Sequence, residues 1–260
     1  MSATAASFDI TDRIAIITGT SSGIGLATAH AFLQAGARVL GADRTEAPPT
    51  LAAHPHFHAL MLDLTAEDAG HALLTACHAR FGEINVLINN AGIGDAKSIE
   101  VTSDADLARY LAVNVAAPFR LCREVIAAMK GRGGAIINIA SVFGMVGAAN
   151  SSAYAPTKAA VIGMTQQLAT EFGRDGIRVN AVAPGLIATP LTETRLGTNP
   201  WFRMMMIDNC PLGRPGRADE IAAACVFLAS PAASFITGIT LPVDGGWSNA
   251  KFLPAPLQAL

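Results

Sequence analysis

The chain has 260 residues, of which 51% are hydrophobic and 15% are charged, and its formal net charge is −2. Disordered chains combine low hydrophobicity with high net charge, and nucleic-acid-binding domains are usually strongly basic, so this composition argues against both classes. A chain of this length can bury a large core, and α/β folds often reach about 250 residues as one domain. We therefore expect a single domain over residues 1–260.

Short apolar runs alternate with helical segments along the chain. The predicted strands, in chain order, are Arg13–Thr18, Ala37–Ala42, Phe57–Leu62, Val86–Asn89, Ala135–Ala140, Ile177–Val182 and Ile239–Val243. The predicted helices are Gly25–Gln34, Ala66–Phe81, Asp104–Asn114, Ala117–Lys130, Ser152–Phe172 and Ala218–Leu228. Strands separated by helices form right-handed βαβ units, and continuous apolar strands are typical of a sheet covered on both faces. This order predicts an α/β fold, a doubly wound parallel sheet (Rossmann fold) of about seven strands.

Two segments without charged residues, Gly133–Thr157 and Ile221–Val243, are long enough to cross a bilayer. Asn and Ser residues interrupt the first and two prolines interrupt the second, so we interpret both as buried core. The first residues lack the basic start and apolar core of a signal peptide, and the four cysteines form no CxxC pair. We therefore expect a cytoplasmic protein with reduced thiols that binds neither membranes nor nucleic acids.

A glycine-rich turn, Thr18–Gly25 (TGTSSGIG), follows the first predicted strand and opens a helix. Gly19 permits a tight turn, Gly23 lets the backbone approach a phosphate, and Gly25 lets the helix pack closely on the sheet. The helix N-terminus then offers free N–H groups to an anion. The pattern indicates a dinucleotide pyrophosphate site, although its spacing is GxxxGxG rather than GxGxxG and a turn without a ligand is the alternative.

Asp43 ends the second predicted strand, 18 residues after Gly25. A carboxylate at this position accepts hydrogen bonds from the adenosine ribose diol and repels a 2′-phosphate, which favours NAD over NADP. The adjacent Arg44 could meet a phosphate instead. An ordinary turn residue at a strand end is the alternative interpretation of Asp43.

Further polar and small residues end the next two predicted strands. Asp63 and Leu64 lie where a side chain and a backbone N–H could hold the edge of an adenine. Asn90, Ala91 and Gly92 fit a backbone wall beside a dinucleotide. Each of these groups alone would also suit a routine strand-end turn.

Tyr154 and Lys158 are four residues apart on a predicted helix and share one face. A Lys ammonium beside a Tyr hydroxyl stabilises the phenolate and lowers the pKa of the phenol from about 10. Such a phenol can take a proton from an alcohol or give one to a ketone. Ser141, which follows the fifth predicted strand, could hydrogen-bond the reacting oxygen. A bare YxxxK pair is more often a surface pair, but this Lys lies in apolar surroundings, which requires a reason.

With these motifs in place, the sequence resembles the short-chain dehydrogenase/reductase family, in its class of roughly 250-residue single-domain members. The resemblance extends from about Ile10 to Trp247. The matching motifs, in order, are Thr18–Gly25, Asn89–Gly92 (NNAG), Asn114, Ser141, Tyr154–Lys158 (YAPTK), Pro184–Pro190 (PGLIATP) and Pro242–Trp247 (PVDGGW). Two departures are mild: Pro156 stands where the family often has Ala, and Thr157 where Ser is usual. If the helix began well before Tyr154, Pro156 would disturb the placement of Lys158.

The resemblance implies a role for each matching residue. Tyr154 is the general acid and base, Lys158 binds the nicotinamide ribose and lowers the pKa of the Tyr154 phenol, and Ser141 orients the substrate oxygen. Asn114 holds a water that links Lys158 to solvent. The cofactor-binding residues are Gly19, Ser22, Gly23, Ile24, Gly25, Asp43, Asp63, Leu64, Asn90, Ala91, Gly92, Tyr154, Lys158, Pro184, Gly185, Ile187 and Thr189.

The irregular stretch Pro184–Arg217 is long enough to be a lid over the substrate. Its segment Trp201–Ile207 (WFRMMMI) suits an adaptable apolar pocket, bordered by Val142–Met145, although core or interface packing is the alternative. Arg195 or Arg203 could bind a substrate anion. We expect a hydrophobic or mixed secondary alcohol or ketone as substrate.

Two other features concern metals and partners. Three alternating histidines, His54, His56 and His58, are not accompanied by carboxylates or cysteines, and no metal site is predicted. The apolar, proline-broken tail, residues 248–260, resembles tails that pack on a neighbouring subunit in this family, which implies a homotetramer or homodimer.

The sequence predicts an NAD-dependent alcohol dehydrogenase or ketone reductase. An NADP-dependent reductase of a ketone or a 3-oxoacyl thioester is the second hypothesis, and it would be better served by a basic residue in place of Asp43. A dinucleotide-binding sensor or scaffold without turnover is the third, and it would not require Asn114, Ser141, Tyr154 and Lys158 together.

Overall fold

The computed structural model describes residues 7–189, 192–193 and 197–249. Within these residues seven strands form one sheet in the order β3-β2-β1-β4-β5-β6-β7, and every neighbouring pair is parallel. The strands are β1 (Ile14–Thr18), β2 (Arg38–Asp43), β3 (Phe57–Met61), β4 (Val86–Asn89), β5 (Gly134–Ile139), β6 (Ile177–Pro184) and β7 (Thr240–Val243). The predicted doubly wound parallel sheet is therefore confirmed.

Helices connect the strands on both faces of the sheet. The α-helices are α1 (Gly23–Gln34), α2 (Pro49–Ala52), α3 (Ala69–Arg80), α4 (Asp104–Leu111), α5 (Ala117–Met129), α6 (Tyr154–Phe172), α7 (Pro200–Arg203) and α8 (Ala218–Ala229). Two π-helical turns (Ala112–Ala116 and Met204–Asp208) and four short 3₁₀ turns (Ile99–Val101, Val142–Gly144, Gly173–Asp175 and Pro231–Ala233) complete the described elements. The strand and helix bounds predicted from the sequence differ from these by at most three residues.

The two helices predicted over residues 104–130 form one helical path in the structure, because a π-helical turn joins α4 to α5. Pro118 lies at the start of α5 and has no N–H to donate to the carbonyl group of Asn114. A local widening of the helix accommodates such a missing bond. The turn also carries Asn114, which is 2% exposed. The junction is thus where a predicted site residue enters the interior.

The stretch predicted as irregular, Pro184–Arg217, is more ordered than expected. Strand β6 extends to Pro184, and α7 continues directly into the π-helical turn Met204–Asp208. The Asn199 side chain accepts a hydrogen bond from the N–H of Phe202 and caps α7. Pro190, Leu191 and residues 194–196 lie outside the described residues.

The core lies on both faces of the sheet. On one face α1 and α8 pack together through Phe32, Ile221 and Leu228. On the other face α3, α5 and α6 contribute side chains such as Leu73 and Val125. All five residues of β1 are buried, because alternate side chains enter the two layers. This double burial explains why the central strands are continuous apolar runs.

The chain continues from β1 to β2 and β3 on one side of β1, and it then crosses back to place β4 on the other side. The connections at this switch point leave a crevice outside the carboxyl ends of the strands, which is where ligands bind in open α/β sheets. None of the helices in the described residues is long and apolar enough to span a membrane. All four cysteines are free, and all four are buried, a property that the sequence analysis did not address.

Candidate active site

A cleft of about 480 Å³ runs along the carboxyl ends of strands β1 to β6. Most of the residues predicted to form the site line it. They are Gly19, Ser22, Gly23, Ile24, Asp43, Asp63, Leu64, Asn90, Ala91, Gly92, Ser141, Tyr154, Lys158, Pro184, Gly185, Ile187 and Thr189. Gly25 and Asn114 are not part of the lining, but each contacts a residue that is: Gly25 contacts Gly19, and Asn114 contacts Ile93.

The lining also contains residues that the sequence analysis did not assign. They include Ser21, Thr45, Thr65, Ile93, Gly94 and Thr192. Most are immediate neighbours of predicted residues, so proximity in sequence was the available signal. Thr192 is different: its Oγ1 donates to the carbonyl groups of Ile187 and Thr189 and accepts from the N–H of Thr189. It fixes the turn after β6, and no local pattern marked it.

The glycine-rich turn is held against β4 by a second polar group. Gly19 has a φ of +75°, a conformation that glycine adopts without strain. The Asn90 amide Nδ2 donates to the carbonyl oxygens of Thr18 (2.8 Å) and Gly19 (3.3 Å). The buried Thr18 Oγ1 accepts from the N–H groups of Asn90 and Ala91, both at 3.0 Å. Asn90 and Thr18 therefore set the shape of the turn from below.

Gly25 cannot take a side chain without moving this turn, because a Cβ at this position would overlap the carbonyl oxygen of Gly19. We expect Gly25→Ala to weaken dinucleotide binding at least about tenfold, since overpacking of this kind costs about 1–3 kcal/mol. Gly163→Ala is the matched control, because Gly163 is also helical but a Cβ there meets nothing within 4 Å. The control is expected to bind normally and to gain about 0.5–1 kcal/mol in free energy of unfolding. Calorimetric titration with NADH and NADPH measures the binding; equal affinities in both variants would contradict this account.

Tyr154 and Lys158 occupy the first turns of α6, one turn apart. The Lys158 side chain is buried, and its Nζ donates to the carbonyl oxygen of Ile139 at 2.8 Å. The same Nζ lies 5.7 Å from the centre of the Tyr154 ring. Burial away from water lowers the pKa of Lys158 to about 8. The structure thus brings an ammonium group to the phenol inside the cleft, as the spacing predicted.

The helix begins at Tyr154, so Pro156 lies in its first turn, where a missing N–H leaves no helical bond unmade. The disturbance of Lys158 that an earlier helix start would cause does not arise. Thr157, noted in the sequence only as a departure, is completely buried. Its Oγ1 donates to the carbonyl oxygen of Tyr154 (2.7 Å) and accepts from Nδ2 of Asn114 (3.1 Å). Thr157 therefore joins α6 to the π-helical turn.

Asn114 is fixed by three hydrogen bonds. Besides its bond to Thr157, its Oδ1 accepts from the N–H of Ile93 and its Nδ2 donates to the carbonyl oxygen of Ile93, each at 2.9 Å. A Cβ placed on Gly92 would lie 3.2 Å from Asn114 Oδ1 and 3.5 Å from Lys158 Nζ. The missing side chain of Gly92 therefore leaves space between these two polar groups.

Ser141 follows β5 in extended conformation, and its Oγ accepts from the N–H of Phe143 at 3.2 Å. Gly144, three residues later, lies directly on the backbone of α6. A Cβ there would come within 2.6 Å of the carbonyl carbon of Lys158. Gly94, on the turn after β4, faces the Tyr154 ring, and a Cβ there would make an ordinary van der Waals contact with Tyr154 Cε2 at 3.4 Å. These contacts place Ser141 and Tyr154 on two elements that touch through their main chains.

An apolar cluster lies beyond Ser141. Phe202, Met206 and Ile207 are buried against Leu186, and Phe143, Met205 and Trp247 pack around them. The rings of Phe143 and Trp247 are 5.8 Å apart, and Trp247 Nε1 donates to the carbonyl oxygen of Met205 at 2.7 Å. Trp201 and Met204 are exposed, as is Arg203. Part of the WFRMMMI segment is thus core packing, while the remainder faces outward.

Some predicted features fall outside the described residues: Arg195, Leu191 and residues 250–260 of the tail. In the part of the chain that the structure describes, no group of three or more His, Cys, Asp or Glu residues could hold a metal ion. His54, His56 and His58 belong to that part.

Comparisons with known proteins agree with this geometry. A sequence model of a protein family described as enoyl-(acyl carrier protein) reductase matches residues 19–248. The cis-4-hydroxycyclohexanecarboxylate dehydrogenase of Sinomonas cyclohexanicum is 38% identical over 244 residues, covering 91% of this chain and 97% of the relative. The 3-oxoacyl-[acyl-carrier-protein] reductase of Salmonella typhimurium is 40% identical over 240 residues, covering 90% and 96%.

Among solved structures, the gluconate 5-dehydrogenase of Burkholderia cenocepacia, in complex with NADP and tartrate, superimposes with a TM-score of 0.88. The two chains are 33% identical, and the match covers 94% of this chain and 98% of the other. The relatives therefore share the whole described fold and not only the glycine-rich turn.

Proposed function

Because the chain belongs to the short-chain dehydrogenase/reductase family and is thereby an NAD(P)-dependent oxidoreductase, we propose that it transfers hydride between NAD and a secondary alcohol or ketone. The observation that carries this proposal is the buried Lys158 ammonium beside the Tyr154 ring, inside the cleft at the strand ends. The substrate proposed is hydrophobic or mixed in polarity, because apolar residues such as Ile93 and Val113 line the cleft together with the polar Ser141 and Tyr154.

The residues present fit a nicotinamide dinucleotide. Glycines line the cleft where a diphosphate would need close backbone approach, and the N-terminus of α1 points its free N–H groups there. At the other end, Asp43 and Asp63 offer carboxylate acceptors for the adenosine. Lys158 would hold the nicotinamide ribose, and Ile187 and Thr189 the carboxamide and pyrophosphate region. When bound, the nicotinamide supplies the hydride acceptor or donor.

In the proposed mechanism the chain's own residues handle the proton. The Tyr154 hydroxyl takes the alcohol proton during oxidation, or donates a proton to the carbonyl oxygen during reduction. The Lys158 cation stabilises the phenolate electrostatically, and its burial strengthens that effect because water does not screen it. The Ser141 hydroxyl orients the substrate oxygen. Asn114 holds a water in the space beside Gly92, through which the proton can pass between Lys158 and solvent.

We propose NAD rather than NADP because Asp43 presents its carboxylate to the cleft at the end of β2. Asp43→Ala is expected to lower the preference for NADH over NADPH about tenfold, the effect of losing a hydrogen bond to a charged group and a repulsion. Asp43→Asn keeps one oxygen acceptor and removes the charge, so it distinguishes repulsion of a 2′-phosphate from loss of the whole side chain. It is expected to improve NADPH binding with a smaller loss for NADH. Dissociation constants of both reduced dinucleotides measure this; an unchanged ratio in both variants would mean that another group sets the preference.

The second candidate is an NADP-dependent reductase of a ketone or 3-oxoacyl thioester. Two observations favour it: Arg44 also lines the cleft next to Asp43, and one relative described above is a 3-oxoacyl-[acyl-carrier-protein] reductase. Absorbance at 340 nm with NAD and a panel of secondary alcohols and polyols, then with NADH and ketones, tests the main proposal. The same panel with NADP and NADPH, including a 3-oxoacyl thioester, tests the second. Turnover with NADPH and the thioester alone would replace the first proposal by the second.

We also propose that the protein works in the cytoplasm as a homotetramer or homodimer, with residues 184–217 as a lid over the substrate and the tail, residues 248–260, packed on a neighbour. Exposed apolar side chains of Ile99, Val101, Leu111 and Phe119 support the association, because such groups gather at interfaces. Light scattering gives the molar mass in solution, and a monomer would refute this arrangement.

A further inference from the structure

The ends of β2 and β3 carry the same small hydrogen-bonded turn. In the first, the N–H and Oγ1 of Thr45 both donate to Oδ1 of Asp43, each at 3.1 Å. In the second, the N–H and Oγ1 of Thr65 both donate to Oδ1 of Asp63, at 2.9 and 2.8 Å. The sequence pattern is Asp-x-Thr in both cases. The two strands are neighbours in the sheet, so the two turns lie side by side.

All four residues of these turns line the cleft. Each turn is also tied to another element of the fold. Asp43 Oδ2 accepts from the N–H of Ser21 in the glycine-rich turn at 3.0 Å, and Ser21 Oγ donates to the Thr45 carbonyl oxygen at 3.1 Å. Arg120 of α5 donates from Nη1 to the Thr65 carbonyl oxygen at 3.0 Å. The Asp43 carboxylate is therefore held both by its own turn and by the glycine-rich turn, whereas the Asp63 carboxylate is held by its own turn, which Arg120 fixes through the Thr65 main chain.

We propose that Thr45 and Thr65 are positioning residues that set the adenosine specificity of the cleft, Thr45 through the contact of Asp43 with the ribose and Thr65 through the contact of Asp63 with the adenine amino group. This inference depends on the proposed function, since it assigns the two carboxylates to the adenosine end of a dinucleotide. It adds two residues to which the proposed function assigns no contact with the cofactor, and their role is to hold the neighbouring carboxylates.

The physical reason is preorganisation. A surface carboxylate rotates freely, and a ligand that needs it in one orientation loses affinity in proportion to the freedom it removes. Two donors on one oxygen hold the carboxylate in place, and charge-assisted bonds of this kind are the stronger ones. The bonds from Thr65 also hold the pKa of Asp63 below its usual value, so that it stays an ionised acceptor.

A purely local role in turn stability is the competing explanation. Thr45 and Asp63 are exposed, and hydrogen bonds between exposed groups add little to the free energy of unfolding. A structural role would also weaken the binding of every dinucleotide alike. In the positioning role, each Thr instead affects the recognition of a different part of the ligand. Two ratios of dissociation constants, one for NADH and NADPH and one for the adenine and hypoxanthine dinucleotides, can therefore separate the two explanations.

The experiment measures dissociation constants by calorimetric titration of the whole protein, without any substrate. The probes are NADH, NADPH and reduced nicotinamide hypoxanthine dinucleotide, in which an oxygen replaces the adenine amino group. The variants are Thr45→Val and Thr65→Val, which remove one hydroxyl each. Thr45→Ser and Thr65→Ser keep the hydroxyl, and Thr75→Val, at an exposed position on α3, is the control.

We expect Thr45→Val to lower the preference for NADH over NADPH about fivefold and to leave the preference for adenine over hypoxanthine unchanged. Thr65→Val is expected to lower the preference for adenine over hypoxanthine by a similar factor and to leave the preference for NADH over NADPH unchanged. Both Ser variants should restore the wild-type ratios, and Thr75→Val should match the wild type throughout. Because binding is measured directly, a Val variant that loses structure is recognised by loss of all binding. The Ser variant then decides the question. Wild-type ratios in the Ser variant support the role of the hydroxyl, and altered ratios overturn it.

Three results would overturn the inference. The Val variants could leave both ratios unchanged, they could lower both ratios together, or the wild-type protein could fail to discriminate among the three dinucleotides. These results differ from a failure of the proposed function, in which the wild-type protein would bind no dinucleotide at all.

Discussion

Replacing Tyr154 with Phe is expected to lower turnover about a thousandfold while the dissociation constant of NADH stays within about twofold of the wild-type value. The change removes one oxygen and keeps the ring that lies 5.7 Å from Lys158 Nζ. Without the hydroxyl no group on α6 can exchange a proton with the substrate oxygen in the proposed mechanism. Initial rates at 340 nm and titration with NADH measure the two quantities separately.

The chain offers a matched control, because Tyr110 is its other tyrosine. Tyr110 is buried in α4 and does not line the cleft. Tyr110→Phe makes the same chemical change at a position without a proposed catalytic role, and it is expected to retain turnover. Activity retained by Tyr154→Phe would refute the acid–base role. Equal losses in the two variants would indicate that a general effect on folding explains the result.

Replacing Lys158 with Met is expected to lower turnover at least about a hundredfold and, unlike the Tyr154 change, also to weaken dinucleotide binding. The variant loses the cation that supports the phenolate and the donor proposed for the nicotinamide ribose. Because Met has a similar length and is apolar, the buried site should remain filled. The opposite pattern, with normal binding and turnover, would remove Lys158 from the mechanism.

The same variant has a pH-dependent signature in stability. Burial lowers the pKa of Lys158 from 10.5 to about 8, so between these values the unfolded chain binds a proton that the folded chain has released. Stability contributed by this group therefore rises with pH from about 8 to about 10.5, and below pH 8 the buried cation costs up to about 3 kcal/mol. Lys158→Met removes this cost.

We therefore expect the free energy of unfolding of Lys158→Met, relative to the wild type, to fall between pH 7 and pH 9.5, while the lost bond to the Ile139 carbonyl oxygen lowers it at both pH values. Denaturant titrations at the two pH values measure the difference. Lys130→Met, at an exposed position after α5, is the control and should show no such pH dependence. A stability difference between the variant and the wild type that is the same at both pH values would show that packing and hydrogen bonding, and not desolvation of the ammonium, are responsible.

Much of the site could be predicted because its parts are local in sequence. The glycine-rich turn, the Asp residues at strand ends and the Tyr154–Lys158 pair are each read within a few residues, and the parallel sheet brings all strand ends to one edge. The order of strands in the sheet then assembles them into one cleft. For these residues, the local sequence pattern and the overall topology were sufficient to predict their place in the cleft.

Other parts depend on contacts between distant segments. Thr157 meets Asn114 across 43 residues of sequence, and Thr18 meets Asn90 across 72. Neither threonine has a neighbour in sequence that reveals its partner. The π-helical turn that carries Asn114 was also missed, because helical periodicity does not distinguish a widened turn from the end of one helix and the start of another. The missed features are thus those in which tertiary contacts determine the local geometry.

The contact of Gly144 with the backbone of α6 has a consequence for how such a protein can diverge. The separation between the segment after β5 that carries Ser141 and the helix that carries Tyr154 is set by main-chain atoms, since no side chain stands between Gly144 and Lys158. Side chains on either side, such as Phe143 and Met145, can therefore change in size without altering that separation. One glycine therefore allows the side chains around it to be replaced during evolution while Ser141 and Tyr154 keep their spacing.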